Sequence, residues 1–506
     1  MVLDINFKQI KINKQLKRKN MKKSIISLGI IAALSVVFLE SCKKKKDAPA
    51  DDEQTVVSVP PYQIGQPISA GTALSGSIKG TMTTGNTYTV GGDVVVNIGD
   101  TVLLQEGVNV CVSAGKTIVV KGVLISLGSK TKPNSFSACG VNKINTIAQA
   151  QSPTTDPAWG TAGAGVWCGI QCDTSCKLLV LKWTHVEFVG AAFAVTQPFV
   201  GGAAGSKSKG ITFQNPNGDF IMEDSWMYGT IDDAIRLSSG RCSIMRNTFE
   251  KCGYVGGDCV NAKSGSVGDM AYNLFVGTAT NGSKASNKGG VGPQTNINMY
   301  NNTYISGGYR QVQTARSADI NYEEGAKGAA YNNLIVNCKY GFRVMGPTPN
   351  AAAIPAADTT NLFYSNNYVY GDSASVCNQF YPVGYCTKPS AYIIPNNGAG
   401  TNYIFNGGAN GAVAYDASAL AGSNNPLFVG FPLPVTGISR LSDINFVGSY
   451  NFRLQSSSPA IGKGKTNFVP LNSTAATVTN PNFKADISNP GIDIGCYQSS
   501  GGGNQH

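Results

Sequence analysis

Tyr300-Asn301-Asn302-Thr303-Tyr304 and Tyr331-Asn332-Asn333-Leu334-Ile335 are two copies of one phrase. Three more copies read Met245-Arg246-Asn247-Thr248-Phe249, Ala271-Tyr272-Asn273-Leu274-Phe275 and Ser365-Asn366-Asn367-Tyr368-Val369. The constant Asn falls at 247, 273, 302, 333 and 367, so the intervals are 26, 29, 31 and 34 residues. A unit of this size that returns with growing insertions belongs to stacked coils, not to one globular core.

The surrounding sequence gives the coil its secondary structure. Short β-branched runs, Val94-Val95-Val96, Val102-Leu103-Leu104, Val108 to Val112, Ile118-Val119-Val120 and Val123-Leu124-Ile125, are punctuated by Gly99-Asp100, Glu106-Gly107, Ala114-Gly115 and Lys121-Gly122. Strands this short suit the faces of a single-stranded parallel β-helix. Sixty glycines and a charged fraction of 14% fit tight turns and argue against helical bundles. The expected fold is all-β, a right-handed parallel β-helix with loop insertions over residues 67–498, followed by a disordered tail at 499–506. A polar, Pro-containing tether is expected at 42–66.

In a β-helix the repeated Asn has a structural role. At a corner it accepts a left-handed backbone, and its amide stacks on the Asn of the next coil. Asn247, Asn273, Asn302, Asn333 and Asn367 are therefore expected in one ladder. Phe249, Phe275, Tyr304, Ile335 and Val369 are expected to point inward.

The net charge of +11 is concentrated at one end. Residues 1–41 contribute +6 and Lys43 to Lys46 another +4, so the rest is near +1. A near-neutral body argues against nucleic acid as a partner. Residues 21–42, MKKSIISLGIIAALSVVFLESC, combine Lys22 and Lys23 with an apolar stretch too short for an ordinary membrane span. Leu39-Glu40-Ser41-Cys42 resembles the lipobox of Bacteroidetes-type lipoproteins. That resemblance implies a signal peptide over residues 1–41, starting at Met21, with lipidation of Cys42 and anchorage in an outer membrane, at the cell surface in one variant.

Gly115-x-x-Ile118 to Lys130, Trp167-x-Gly169-Ile170 and Trp183 to Phe188 resemble Bacteroidetes β-helix lipoproteins. Asn451-Phe452-Arg453-Leu454, Ser458 to Gly462 and Asp493 to Tyr497 resemble the closing segment of pectate-lyase-like β-helices. The resemblance is to a fold that hosts many activities. It implies a monomer and a glycan as partner.

Several groups could carry chemistry. Gly229 to Arg236 contains Asp232 and Asp233, and Gly256-Gly257-Asp258-Cys259 follows one coil later. Paired carboxylates serve glycoside hydrolysis, and the string resembles polygalacturonase-type hydrolases. The histidine of that pattern is missing, because the chain has only His185 and His506. Asp at a turn more often caps backbone amides. Arg310, Arg316 and Arg343, with Tyr309, are candidates to hold a uronate or sulfate. Calcium is expected only if the chain is a lyase, and no acidic cluster marks a metal site. Tyr300, Tyr304, Tyr309, Tyr322, Tyr331, Tyr340, Tyr364, Tyr368 and Tyr370 crowd one region, and an exposed half would stack on sugar rings. The sequence favours a binding face for polysaccharide, with a hydrolase using Asp233 and Asp258 as the alternative and a lyase after it. Cys172 with Cys176, and Cys377 with Cys386, are candidate local disulfides in an exported chain.

Overall fold

A computed structural model describes residues 62–141, 165–197, 201–288, 293–311, 316–345, 355–373, 376, 422, 425–435 and 450–506. Cys42, Cys377 and Cys386 lie outside the described residues, as does most of the expected tether. Residues 62–66, expected as the end of that tether, instead meet the first coil, where Ile64 N donates to Thr81 Oγ1 at 2.9 Å.

The chain winds into a right-handed parallel β-helix. One face is a 10-stranded parallel sheet, from Gly80–Met82 to Leu362–Ser365. A 19-stranded sheet carries the other two columns. The second face runs from Asn109–Val112 through Thr248–Cys252 to Tyr368–Tyr370. The third runs from Ile118–Val120 through Val260–Ala262 to Phe342–Val344. Thr359–Asn361 is a 3-10 turn, and among the described residues no helix is long and apolar enough to cross a membrane.

The five repeated asparagines form the ladder expected of them. The backbone amide and side-chain Nδ2 of Asn247 both donate to Asn273 Oδ1, at 2.9 and 3.0 Å. Asn273 does the same to Asn302, Asn302 to Asn333 and Asn333 to Asn367. Each Nδ2 of the first four also reaches a main-chain carbonyl, so both protons are used. The ladder continues toward the N-terminus with other residues: Ser225 N donates to Asn247 Oδ1 and Thr184 N to Ser225 Oγ. One detail differs from expectation. The left-handed residue is the one before the ladder Asn, namely Arg246, Tyr272, Asn301, Asn332 and Asn366, with φ between 51° and 58°. The corner turns there, which frees the next side chain to point along the helix axis. The apolar position two residues on packs inward, and Phe249, Phe275 and Tyr304 stack with centroids 4.8 Å apart, one strand spacing.

Among the described residues the parallel coils run to Tyr370, and the segments described after it up to residue 498 take another form. Phe428–Gly430 pairs antiparallel with Asn451–Leu454, and residues after 454 form a strap along the outside of the 10-stranded face. Asn332 Nδ2 donates to Lys465 O, Leu471 N and Asn472 N bond the Asp269 carboxylate, and Thr477 Oγ1 bonds Asp219. Val478 covers the apolar outward column Leu103, Ile125, Val180 and Ile221. The strap then returns: Asp486 N meets Glu223, and Tyr300 and Tyr272 donate to the Ser488 and Asn489 carbonyls. An outward apolar column needs such a cover. Residues 499–506, expected as a disordered tail, are part of it. Asn504 is buried and donates to Asn247 O, and His506 lies against Trp183 and Trp226 with centroids 5.7 and 6.1 Å apart.

The cysteines also differ from expectation. Cys172 and Cys176 are free thiols in the coil interior. The turn between them is closed by Asp173, whose Oδ1 accepts from Ser175 N at 2.8 Å, and burial pushes the Cys172 thiol well up. A disulfide instead joins Cys111 and Cys139 across neighbouring coils.

Candidate functional site

The strap occupies one face, and a polar pocket lies on another. On the third face the strands Ile235–Leu237, Val260–Ala262, Ser283–Ser286, Ile320–Glu323 and Phe342–Val344 stack in register. Strand alternation sends Ile235, Val260, Ile320 and Phe342 into the core. It sends the residue after each outward, which builds the column Arg236, Asn261, Lys284, Asn321 and Arg343.

The corner that feeds these strands carries the two aspartates. Asp258 N donates to Asp233 Oδ1 at 2.9 Å, and Asn281 donates to Asp258 Oδ1 through its amide N at 3.3 Å and its Nδ2 at 2.6 Å. Ala318 N then donates to Asn281 Oδ1 at 2.7 Å. Gly257 makes the approach possible. Its φ is +95°, and a Cβ there would lie 2.5 Å from the Asp232 backbone.

Asp233, Arg236, Asp258, Asn261, Lys263, Asn281, Lys284, Gln311, Arg316, Glu323 and Arg343 share one pocket of about 180 Å³. Asp233 is 1% exposed and fully engaged. Its Oδ2 accepts from Arg236 Nε at 2.7 Å and from Asn261 Nδ2 at 3.0 Å. Burial opposes its ionisation, but Arg236, the Asp258 amide and Lys209 outweigh burial and hold it below the usual range. Asp258 is 6% exposed, and burial, opposed by Lys284 and reinforced by Asp233, pushes it up to about 6. Glu323 pairs with Lys284 at 2.6 Å and lies 3.6 Å from Arg343. Against burial, those two cations bring it down to about 2. Burial, with Arg236 and Lys284 nearby, lowers Lys263.

Four buried atoms on this wall lack a hydrogen-bond partner among the described residues: Arg343 Nε and Nη2, Asn261 Oδ1 and Asn321 Oδ1. Of these, Nη2 keeps its ion pair with Glu323, and Asn321 lies outside the pocket lining. Buried polar groups are nearly always paired, so Arg343 Nε and Asn261 Oδ1, on side chains that line the pocket, are candidate sites for a ligand's oxygen and hydroxyl. Five cations face three carboxylates around that space. The arrangement can hold an anionic group, with Arg343 offering its guanidinium edge.

The structure thus brings Asp233, Asp258, Arg316 and Arg343 together. Asp232 lies outside the pocket, paired with Lys209 at 2.5 Å. Arg310 is not a pocket residue either. Its guanidinium donates to the carbonyls of Cys252, Gly253, Tyr254 and Gly277 and clamps two corners together. Tyr309 is half-buried beside it and outside the pocket lining. Among the described residues no tyrosine face forms: Tyr300, Tyr304, Tyr322, Tyr331, Tyr340, Tyr364, Tyr368 and Tyr370 are all buried. Tyr304 and Tyr322 belong to the coil core, and Tyr300 and Tyr331 pack under Phe468 of the strap. Among the described residues no group of three or more His, Cys, Asp or Glu could hold a metal ion. Sequence reasoning missed Asn261, Asn281 and Lys284. Their signal was register, since each sits one coil from a residue already suspected.

No protein-family model matches the chain, and no curated protein does. Among solved structures it is similar to the crystal structure of the Dettilon tailspike protein, at 11% identity and a TM-score of 0.18. The match covers 56% of this chain and 54% of that one, about half the length of each. So distant a likeness carries no argument about what this chain does.

Proposed function

We propose that this chain is a lipid-anchored β-helix that binds an acidic polysaccharide in the pocket of its third face. The observation that carries the reading is that Arg343 Nε and Asn261 Oδ1, buried and without a hydrogen-bond partner among the described residues, belong to side chains lining a pocket of excess positive charge. A sugar supplies hydroxyls to such atoms, and its carboxylate or sulfate supplies the anion. The lipobox-like Leu39-Glu40-Ser41-Cys42 and the following lysines support anchorage to a membrane.

Catalysis is the second reading, favoured by one observation. Asp233 and Asp258 occupy neighbouring coils, and their proton affinities are pushed apart, the pattern of an acid and a base. Asp233 counts against it, because both of its oxygens already accept hydrogen bonds from the protein.

A polysaccharide array scored for retention, for new reducing ends and for unsaturated products separates the readings. Retention of uronate or sulfate chains without cleavage is expected. Retention of neutral chains alone would remove the acidic specificity, new reducing ends without unsaturated products, lost in Asp258→Asn, would make the chain a hydrolase, and unsaturated products would make it a lyase. For the anchor, Cys42→Ala should abolish lipid labelling and release the protein from membranes, and unchanged labelling would refute the lipobox.

A further inference from the structure

The three carboxylates of the pocket are not equivalent. Asp233 is ion-paired with Arg236 and Glu323 with Lys284, whereas Asp258 forms no ion pair among the described residues. Its Oδ1 is held by Asn281. Asp258 also stands at the centre of the charges. Asp233 and Arg236 lie on the coil before it, Lys263 on its own coil, Lys284 on the next, and Glu323, Arg343 and Arg316 beyond.

We infer that Asp258 sets the pocket's preference by its protonation, admitting an anionic sugar to the Arg–Lys column when neutral and repelling it when ionised. The inference rests on the reading that this pocket binds an acidic glycan. With Asp258 neutral, the five cations face two carboxylates, not three. The buried setting makes that one charge count, because a pocket with little water screens poorly. Burial, with the Asp233 charge adding to it against Lys284, already raises Asp258 to about 6. An arriving anion raises it further, so binding takes up a proton from solvent onto the Asp258 carboxylate. No bond of the sugar changes. By reciprocity, affinity for the anion rises as pH falls through about 6. Asp233 and Glu323, both held low, stay ionised across this range and do not contribute to the slope.

The test is calorimetric titration of the full chain with hexagalacturonate, with a sulfated dextran oligosaccharide and with neutral dextran of the same length. Each is run from about pH 5 to about pH 8, in two buffers of different ionisation enthalpy. Both acidic probes stay charged throughout, and whichever binds identifies carboxylate or sulfate as the recognised group. The expected result is an affinity gain of roughly 3–10-fold toward low pH, with proton uptake. Asp258→Asn, which keeps the oxygen that accepts from Asn281, should bind at high pH as the parent does at low pH. A parent that binds without slope or proton uptake, or a variant that keeps the slope, overturns the inference and leaves the binding reading intact. Failure of both acidic probes to bind either protein at any pH removes both. Should the variant not fold, proton uptake by the parent alone decides the matter.

Discussion

Two corners of this β-helix use the same device to different ends. At one, Asn247, Asn273, Asn302, Asn333 and Asn367 join coil to coil, each backbone amide donating to the side chain of the next coil. At the other, Asp258 and Asn281 do the same with the direction reversed, their amides donating to Asp233 and Asp258 of the coil before. The first ladder is uncharged, lies beneath the strap and leaves no ladder Oδ1 or Nδ2 unpaired among the described residues. The second holds two carboxylates, opens to a pocket and borders Arg343 Nε and Asn261 Oδ1, which have no hydrogen-bond partner among the described residues. A closed polar ladder stabilises a fold, and one left charged and incompletely satisfied keeps capacity for a ligand.

The contrast predicts unequal responses to mutation. Asn302→Ala should be the most damaging, because it takes the acceptor from the Asn273 amide and from one Asn273 Nδ2 proton, and a donor from the Met270 carbonyl, all in the core. A loss of roughly 3–5 kcal/mol is expected by chemical denaturation, and a loss below about 1 kcal/mol would mean that the ladder is incidental. Asp233→Asn should cost less, about 2–4 kcal/mol, since it leaves Arg236 half-exposed without its partner. If glycan binding vanishes in that variant while stability is untouched, the second corner is a site and not a cap.

Asp258→Asn should have the smallest effect, and of opposite sign. The Asp258 pKa is raised in the folded state, from an ordinary carboxylate value to about 6. The fold therefore binds more protons than the unfolded chain between those values, and stability falls as pH rises through them. The variant removes that loss, so it should match or exceed the parent at neutral pH by roughly 1–3 kcal/mol and flatten the dependence between about pH 4 and pH 6. Melting curves across that range check it. A variant markedly less stable than the parent at neutral pH would show that the Asp258 charge is needed.

How far the sequence could be read follows from the same contrast. The Asn ladder was legible because one residue type recurs at one corner of successive coils. Ser225 and Thr184 extend it but were not legible, since an oxygen from a different side chain serves as well. The strap carries no period, and its contacts lie up to hundreds of residues away, as with Asp486 on Glu223. Asp233 and Asp258 were found from their glycine-rich turns. Lys284 and Asn261 sit in strands of three or four residues, too short to reveal which side faces out. The tyrosines misled for the same reason: stacking the coils puts their columns in the core or under the strap.

The central claim is that the second corner's pocket holds an anionic glycan. The most direct measurement is the affinity of Lys263→Gln/Arg316→Gln for the acidic oligosaccharide that the parent retains. Arg316 is exposed and Lys263 half-buried on the pocket rim, so the fold should tolerate both changes. The account predicts an affinity loss of about tenfold or more at unchanged melting temperature. Affinity equal to the parent's would contradict it and place the glycan elsewhere on the molecule.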